Sequence, residues 1–364
     1  MLNIIHEFAS NIEKKWKDAD NSVYHFSDIS LQEIKKYDLA SEFDFNAMNT
    51  LLDNNHVRNV QIASEFSELH FKLFDNGRFY VEILNWWDKD TSIHDHGFSG
   101  VLVQLRGAAL NALYSFENED ISTSQTLRYG NVKLVGAEIS QEGDIRVIPW
   151  GRTERHAVFH IAQPTISLIV RTHPVDDISP QLNYFAPYLM SNYSASGIAF
   201  SKRVKYFKLL ERMNKSDFRG QLFTTLSNSS HTDCFWLFMK LGGLLFNSGN
   251  IELLQEWINV SSDAKERQKR EKIVASVACR RASQFIVDHV KPYFADYETR
   301  LFLAAIAASY SENERNFMFE KLDIKFDDTR IAEVKSKLSP KQATEFSSAA
   351  KILNGSWSAT PKSS

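Results

Sequence analysis

The spacing of apolar residues changes twice along this chain. Over about the first 55 residues they recur every three or four positions, as in Ile5, Phe8 and Ile12, which predicts short amphipathic helices. From about Glu68 apolar and polar residues alternate in short β-rich runs separated by Gly, Asp or Asn. These runs predict an antiparallel sandwich or barrel of about 110 residues. The predicted strands are LHFKLFD, RFYVEILNWW, SGVLVQLRG, LNALYSF, VKLVGAEIS, DIRVIPW and TISLIVRTH.

Helical periodicity returns after Pro174, Pro180 and Pro187 and continues nearly to the end of the sequence. The pattern therefore predicts an α+β protein of two domains, in which an antiparallel β-barrel preceded by helices is followed by an all-α domain. The predicted boundaries are 1–65 for N-terminal helices packing on the barrel, 66–178 for the barrel, 179–352 for the helical domain and 353–364 for a disordered Ser-rich tail.

Composition and charge limit the partners and the cellular location that we expect for this protein. A net charge of -3 over 364 residues provides no basic field for nucleic acid or an anionic membrane. The charges of the run 265–272 spread around a helix and predict a solvated surface. The two cysteines, Cys234 and Cys279, lie in apolar runs and are predicted to be reduced, buried thiols. The chain starts without the apolar segment of a secretory signal and has no run of about 18 apolar residues, so we expect a cytoplasmic protein that does not enter the membrane.

Three histidines have the spacing of a metal site. In an extended strand His94 and His96 project to the same face, while Asp95 between them faces away. A third imidazole, His156, follows about sixty residues later, after the strand and turn at 143–151. A partner strand could bring it next to the first two, so the sequence predicts that these three histidines bind one metal ion.

These elements resemble the two motifs of the cupin superfamily, a family of double-stranded β-helices. The first motif is H-x-H on a strand, and the second runs from Gly143 through Pro149 and Gly151 to His156. The resemblance covers roughly residues 68–175. Most cupins add a glutamate ligand, but the stretch 97–101 contains no carboxylate. The resemblance therefore implies a metal held by histidine alone, with open positions for a substrate atom and dioxygen on Fe(II).

Within that superfamily the chain resembles the cysteine dioxygenase family. The shared elements are a strand that ends in Trp86, the run SIHDHGFS at 92–99, a Gly-terminated strand at 101–107 and the PTISL segment at 164–168. This resemblance implies an iron-dependent dioxygenase that oxidises a small acidic thiol to a sulfinate. The animal enzymes carry a cysteine, crosslinked to a tyrosine, at the position that Gly100 occupies here, so no crosslinked cofactor is expected.

The expected substrate residues depart from that family in two places. Its Ser-His-Tyr triad corresponds to Ser167, Ile169 and Arg171, so the catalytic tyrosine position holds an arginine. Its carboxylate-binding arginine has no counterpart, and the nearest candidates are His70 and Lys72. Because alternate residues of a strand share a face, the guanidinium of Arg171 could bind a substrate carboxylate in the cavity.

Each of these residues also has a plainer interpretation. Arg171 is predicted either to contact the substrate or to form an internal salt bridge with Glu82. Trp86 is predicted either to shape the catalytic pocket or to close the barrel core. His160 could support the metal site, but a structural role is favoured, and His173 is expected at the rim.

Arg152, Glu154 and Arg155 are predicted to lie in a loop before His156, either as solvated charges or as a gate at the mouth of the cavity.

The leading predicted function is a mononuclear non-haem Fe(II) dioxygenase, with a small molecule and dioxygen as partners. One alternative is an oxygenase that cleaves or decarboxylates another small chelating acid. Another is a non-enzymatic metal or metabolite sensor that signals through the helical domain. A third makes that domain a homodimer or partner-docking surface, through residues 234–238.

Overall fold

The computed structural model describes residues 1–118, 126–192, 197–246 and 250–356. It divides into two compact units. Unit 1 comprises Met1–Tyr114, Val135–Gln181 and Lys291–Ala304, and unit 2 comprises Ser115–Leu134, Leu182–Val290 and Ala305–Ser364. Of the tail predicted at 353–364, residues 357–364 lie outside the described part of the chain.

Four helices precede the strands, and nine follow them within the described residues. The helices are α1 Leu2–Asp18, α2 Val23–Ile34, α3 Met48–Leu51, α4 Asn55–Asn59, α5 Ile198–Met213, α6 Lys215–Ser227, α7 His231–Leu245, α8 Ile251–Asn259, α9 Ala264–His289, α10 Tyr297–Ala307, α11 Glu312–Lys321, α12 Asp328–Ser336 and α13 Pro340–Lys351. The strands are β1 Leu69–Asp75, β2 Phe79–Trp86, β3 Ile93–His96, β4 Gly100–Arg106, β5 Ala109–Asn118, β6 Leu127–Ser140, β7 Ile145–Ile148, β8 Gly151–His160, β9 Thr165–Thr172, β10 Leu182–Phe185 and β11 Leu189–Asn192.

The strands form two antiparallel sets. One sheet has the order β1-β2-β9-β4-β7, and the other strands form a closed barrel in the order β10-β11-β6-β5-β8-β3. The predicted fold class is therefore confirmed: a β-barrel with helices before it and a helical region after it. All seven predicted strand runs fall on observed strands.

The first two helices of unit 1 bury their apolar faces against its β-sheet. Ile5, Phe8 and Ile12 are fully buried along one face of α1, as their spacing predicts. One turn further on, the Trp16 ring packs edge-on against Phe79 of β2, with ring centroids 6.2 Å apart. This packing leaves the opposite face of the sheet to line the interior described below.

The helices of unit 2 enclose a core of their own. Large side chains of α6, α7 and α8 form it, and Phe235, Phe238 and Trp257 are among its members. Cys234 and Cys279 are free and buried, as predicted. None of the described helices combines the length and the apolar character needed to cross a membrane.

The strand assignment differs from the prediction at two places. Residues 151–160, predicted to begin as a loop, form β8. Residues 182–192, predicted to be helical, contain the hairpin of β10 and β11. Each strand of that hairpin has only four residues, too few for alternation to be distinguished from a helical pattern.

Candidate metal centre

Three buried imidazoles meet where β3 pairs with β8. The Cα register sets His94 opposite His156, and His96 lies two residues further along β3. The Nε2 atoms of His96 and His156 are 3.1 Å apart, and the candidate ligand atoms of all three residues lie within 4.8 Å of one another. The structure thus brings together the three histidines that the sequence singled out.

A hydrogen bond orients the imidazole of His94, and a carboxylate lies behind the imidazole of His156. The Nδ1 atom of His94 lies 2.7 Å from the Ser92 carbonyl, so it carries the proton and leaves the Nε2 lone pair for a metal. The Nδ1 atom of His156 lies 3.8 Å from Oε1 of Glu154, a buried oxygen with no hydrogen-bond partner among the described residues. The other Glu154 oxygen accepts from Arg146 at 2.8 Å. A carboxylate behind a histidine is the usual support of a metal ligand.

The electrostatics of the cluster suit a cation. Burial lowers the pKa of His94 below its ordinary value of 6.5, and burial together with the neighbouring histidines and arginines lowers the pKa values of His96 and His156 well below it. The three rings are therefore neutral near pH 7, which is the form that binds metals. Two nitrogens 3.1 Å apart can share one ion at the usual metal–nitrogen distance of about 2.1 Å. The donor set therefore fits a divalent transition metal.

A fourth side-chain ligand at position 100 is sterically excluded. A Cβ atom on Gly100 would stand 2.6 Å from the carbonyl oxygen of Val170 and 2.9 Å from the Cβ of Arg171 on the neighbouring strand. Such contacts are too short for any side chain without movement of the β9 backbone. The packing of β4 against β9 therefore keeps a side-chain ligand from this position.

The three histidines open onto a cavity of 370 Å³ in unit 1. Its walls come mostly from alternate residues of the surrounding strands, which project to the interior, and partly from the loops between them. Both predicted catalytic residues, Trp86 and Arg171, are among them. The wall also contains Phe66, Glu82, Leu84, Thr91, Phe98, Leu102, Gln104, Ala109, Asn111, Ser140, Arg146, Ile148, Val158, His160, Ser167, Ile169 and Gln181.

Arg171 lines this cavity and forms an ion pair there. Its Nε atom lies 2.9 Å from Oε1 of the buried Glu82, so the plainer of the two predictions for this arginine corresponds to a real contact. The guanidinium also lies over the rings of Phe98 and Tyr80, at 4.5 Å and 4.9 Å from their centroids. The side chain remains 26% exposed, so its outer nitrogens can still bind an anion.

His70 and Lys72, predicted as substrate contacts, are not among the cavity walls in the described structure. The Nε2 atom of His70 lies 2.6 Å from the second oxygen of Glu82. Lys72 donates to Asp75 at 2.7 Å, and its ammonium lies 4.2 Å from the centre of the Tyr80 ring. Both side chains are thus held by carboxylates of β1 and β2, and their positions do not support a role in substrate binding.

The sequence argument missed Arg146, interpreted Glu154 as a solvated or gating loop charge, and favoured a structural role for His160. Arg146 lies two residues before Ile148 on β7, so the two share the inward face. Glu154, predicted as a solvated charge, lies beside the third histidine. His160 lies four residues after His156 on β8, and its strand position could have placed it on the same face.

Comparisons with known proteins identify no family for this chain. No family model matches it, and no curated protein matches it. Among solved structures, a hydroquinone 1,2-dioxygenase from Sphingomonas sp. TTNP3 matches 36% of this chain and 80% of its own, at 12% identity and a TM-score of 0.24. A DMSP lyase from Ruegeria pomeroyi matches 36% of this chain at 11% identity and a TM-score of 0.23. That match spans 60% of the lyase, less than two thirds of its length. A cupin superfamily protein from Desulfitobacterium hafniense matches 32% of this chain and 87% of its own, at 14% identity and a TM-score of 0.21. Likeness of this degree carries no argument about function, which rests on the geometry of the site.

Proposed function

We propose that this protein is a mononuclear non-haem Fe(II) dioxygenase that acts on a small acidic substrate. The observation that carries the proposal is the convergence of His94, His96 and His156, all buried and neutral, on the wall of a 370 Å³ cavity. Fe(II) held by these imidazoles would supply the redox chemistry that adds dioxygen to the substrate.

The protein residues near the histidines support an acidic substrate. Arg146 and Arg171 both line the cavity and both lie close enough to depress the pKa of His96. Arg146 pairs with Glu138 at 3.1 Å and with Glu154 at 2.8 Å through its two terminal nitrogens, whereas Arg171 pairs with Glu82 through Nε. Arg171 is therefore the better placed of the two to hold a carboxylate. The ring of Phe98 lies 5.1 Å from the imidazole of His96 and 4.5 Å from the guanidinium carbon of Arg171, so it adds an apolar surface between these two groups.

For the substrate itself we propose a thiol that is oxidised to a sulfinate. Sulfur would lose four electrons, dioxygen would gain them, and both oxygen atoms would remain in the product. The cysteine dioxygenase-like motifs support this choice. Arg171 stands where that family has its catalytic tyrosine, and this departure favours a second candidate, the oxidative cleavage or decarboxylation of another chelating acid.

The deciding experiment combines metal analysis with oxygen uptake. Protein purified anaerobically is expected to contain nearly one iron per chain and to consume oxygen with cysteine or 3-mercaptopropionate. His156→Ala should lose both properties. His173→Ala removes a histidine that pairs with Asp75 outside the cluster and should keep both.

Each outcome discriminates between the candidates. Iron without thiol-dependent uptake, but with uptake on other chelating acids, would move the assignment to the second candidate. Metal binding without turnover on any acid would favour a metal or metabolite sensor. Absence of iron, cobalt or zinc binding in the wild type would refute the metal site itself.

A further inference from the structure

One imidazole of the cavity is not used by the metal site. His160 is 3% exposed, lines the cavity, and stacks on Trp86 with a centroid distance of 4.4 Å and an interplanar angle of 14°. Both of its ring nitrogens are buried, and neither has a hydrogen-bond partner among the described residues. Leaving such groups unpaired costs about 1–3 kcal/mol each, so a ligand or water is expected to meet them.

The backbone of this histidine is anchored by buried charges. Its N–H donates to Oδ1 of Asp90 at 2.6 Å, and its carbonyl accepts from Arg300 at 3.1 Å and from Lys291 at 3.3 Å. The side chains of all three anchoring residues are at most 3% exposed. The imidazole therefore has a fixed position in the cavity wall, because its backbone is hydrogen-bonded on both sides and its ring stacks on Trp86.

The same surroundings keep the ring uncharged. Burial, and then the nearby cations Lys291 and Arg300, lower the pKa of His160 well below its ordinary value of 6.5. A neutral imidazole presents one N–H donor and one lone-pair acceptor. It therefore matches a group that donates and accepts at once, such as a hydroxyl, better than a charged group.

The imidazole of His160 lies well away from the three histidines of the candidate metal site. His156 and His160 are four residues apart on β8, which corresponds to about 13 Å along a strand. The wall between them combines the apolar Leu84 and Val158 with Ser167 and Asn111, which lie opposite them in the strand register. The cavity thus runs from a cationic, metal-binding end, past a wall of mixed polarity, to a neutral imidazole at the other end.

We propose that His160, stacked on Trp86, is a second substrate-binding position that hydrogen-bonds a hydroxyl group of an elongated acid. This inference rests on the proposed function for the acidic head of the ligand, which would lie near Arg171. It narrows the preferred substrate to acids that carry, beside the group oxidised at the metal, a longer chain with a distal hydroxyl. Cysteine would occupy the metal end alone.

The test compares binding of two series of probes to iron-loaded protein under anaerobic conditions, by calorimetry. The probes are ω-hydroxyalkanoates of increasing length, each paired with the alkanoate of equal length. We expect the hydroxylated member to bind about fivefold tighter at the length that reaches His160, as one neutral hydrogen bond provides. His160→Phe keeps an aromatic ring on Trp86 and should abolish this preference without changing alkanoate binding.

Two further variants make the result specific. Ser167→Ala removes another polar group of the wall and should retain the hydroxyl preference. His160→Gln restores a donor and an acceptor and should recover part of it. Iron content and circular dichroism are measured for each variant, so that a misfolded protein is recognised.

Equal binding of both series by the wild type would overturn the proposal, since the ring would then meet water only. A preference that survives in His160→Phe, or disappears in Ser167→Ala, would also overturn it. Failure of the proposed function has a different signature, because the wild type would then bind no iron or would consume no oxygen with any acid, whichever probes it prefers.

Discussion

Removal of Lys291 is expected to destabilise unit 1 through the charge that it leaves behind. Lys291 is fully buried, and its ammonium donates to Oδ2 of Asp90, whose side chain is 3% exposed. The other Asp90 oxygen accepts the backbone N–H of His160. In Lys291→Met the carboxylate stays in the interior without its closest cation, which typically costs 3–5 kcal/mol, about a third to a half of the stability of an ordinary domain.

The paired variant separates lost charge from lost packing. Lys291→Met combined with Asp90→Asn removes both charges, while the amide oxygen can still accept from the His160 N–H. Neutral replacement of a buried pair is often tolerated, so we expect the double variant to lie within about 1–2 kcal/mol of the wild type. It should be more stable than the single variant Lys291→Met, although it carries one more substitution.

Equilibrium urea unfolding, followed by circular dichroism and tryptophan fluorescence, measures these differences, provided that the slope m is unchanged. Lys341→Met is the control, because Lys341 is 86% exposed in a 4.0 Å pair with Glu345 and should change the free energy of unfolding by less than about 0.5 kcal/mol. The reasoning would be refuted if Lys291→Met lost less than about 1 kcal/mol, or if the double variant lost the sum of both single changes.

Two other substitutions test the packing of β4 against β9 and the loss of stability at acidic pH. Gly100→Ala should destabilise the protein by about 1–3 kcal/mol in urea, because its Cβ would meet a carbonyl of β9 at 2.6 Å, whereas Gly220→Ala, in an open helical position, should be neutral or stabilising. Burial would raise the pKa of Asp75, but Lys72, His173 and a backbone N–H lower it below 3.8. Its contribution to the free energy of unfolding is therefore present above pH 3.8 and lost as the pH falls through the folded-state pKa. In Asp75→Asn the free energy of unfolding should therefore fall less between pH 5 and 2 than it does in the wild type. The same fall in both proteins would contradict this sign.

The order of the elements could be predicted because alternation and helical spacing directly report which face of each element is buried. The start of β8 could not, because its pairing with β3 is irregular. Three residues of β3, from His94 to His96, face six residues of β8, from His156 back to Gly151. The four residues between are polar and do not alternate, and their main fixed partner, Arg146, comes from another strand.

The metal ligands could be predicted for the converse reason. His94 and His96 occupy successive inward positions of one strand, and the pairing of β8 with β3 sets His156 opposite His94 in the register. The positions of the His70 and Lys72 side chains depend instead on the carboxylate with which each forms an ion pair. His70 pairs with Glu82 and Lys72 pairs with Asp75. The sequence alone does not specify these pairs, because they depend on contacts within β1 and between β1 and β2.

The two halves of β8, which are paired irregularly before His156 and regularly after it, therefore have different functions. The irregular half, before His156, brings Glu154 behind that ring while its other oxygen binds Arg146. The regular half, from His156 to His160, pairs residue by residue with β5. Because alternate residues of a paired strand share a face, this half holds both imidazoles on the interior at a separation set by the backbone rise. Insertion of one residue between them would turn one ring out of the cavity, so the length of ligand that can touch both ends is encoded in a single strand.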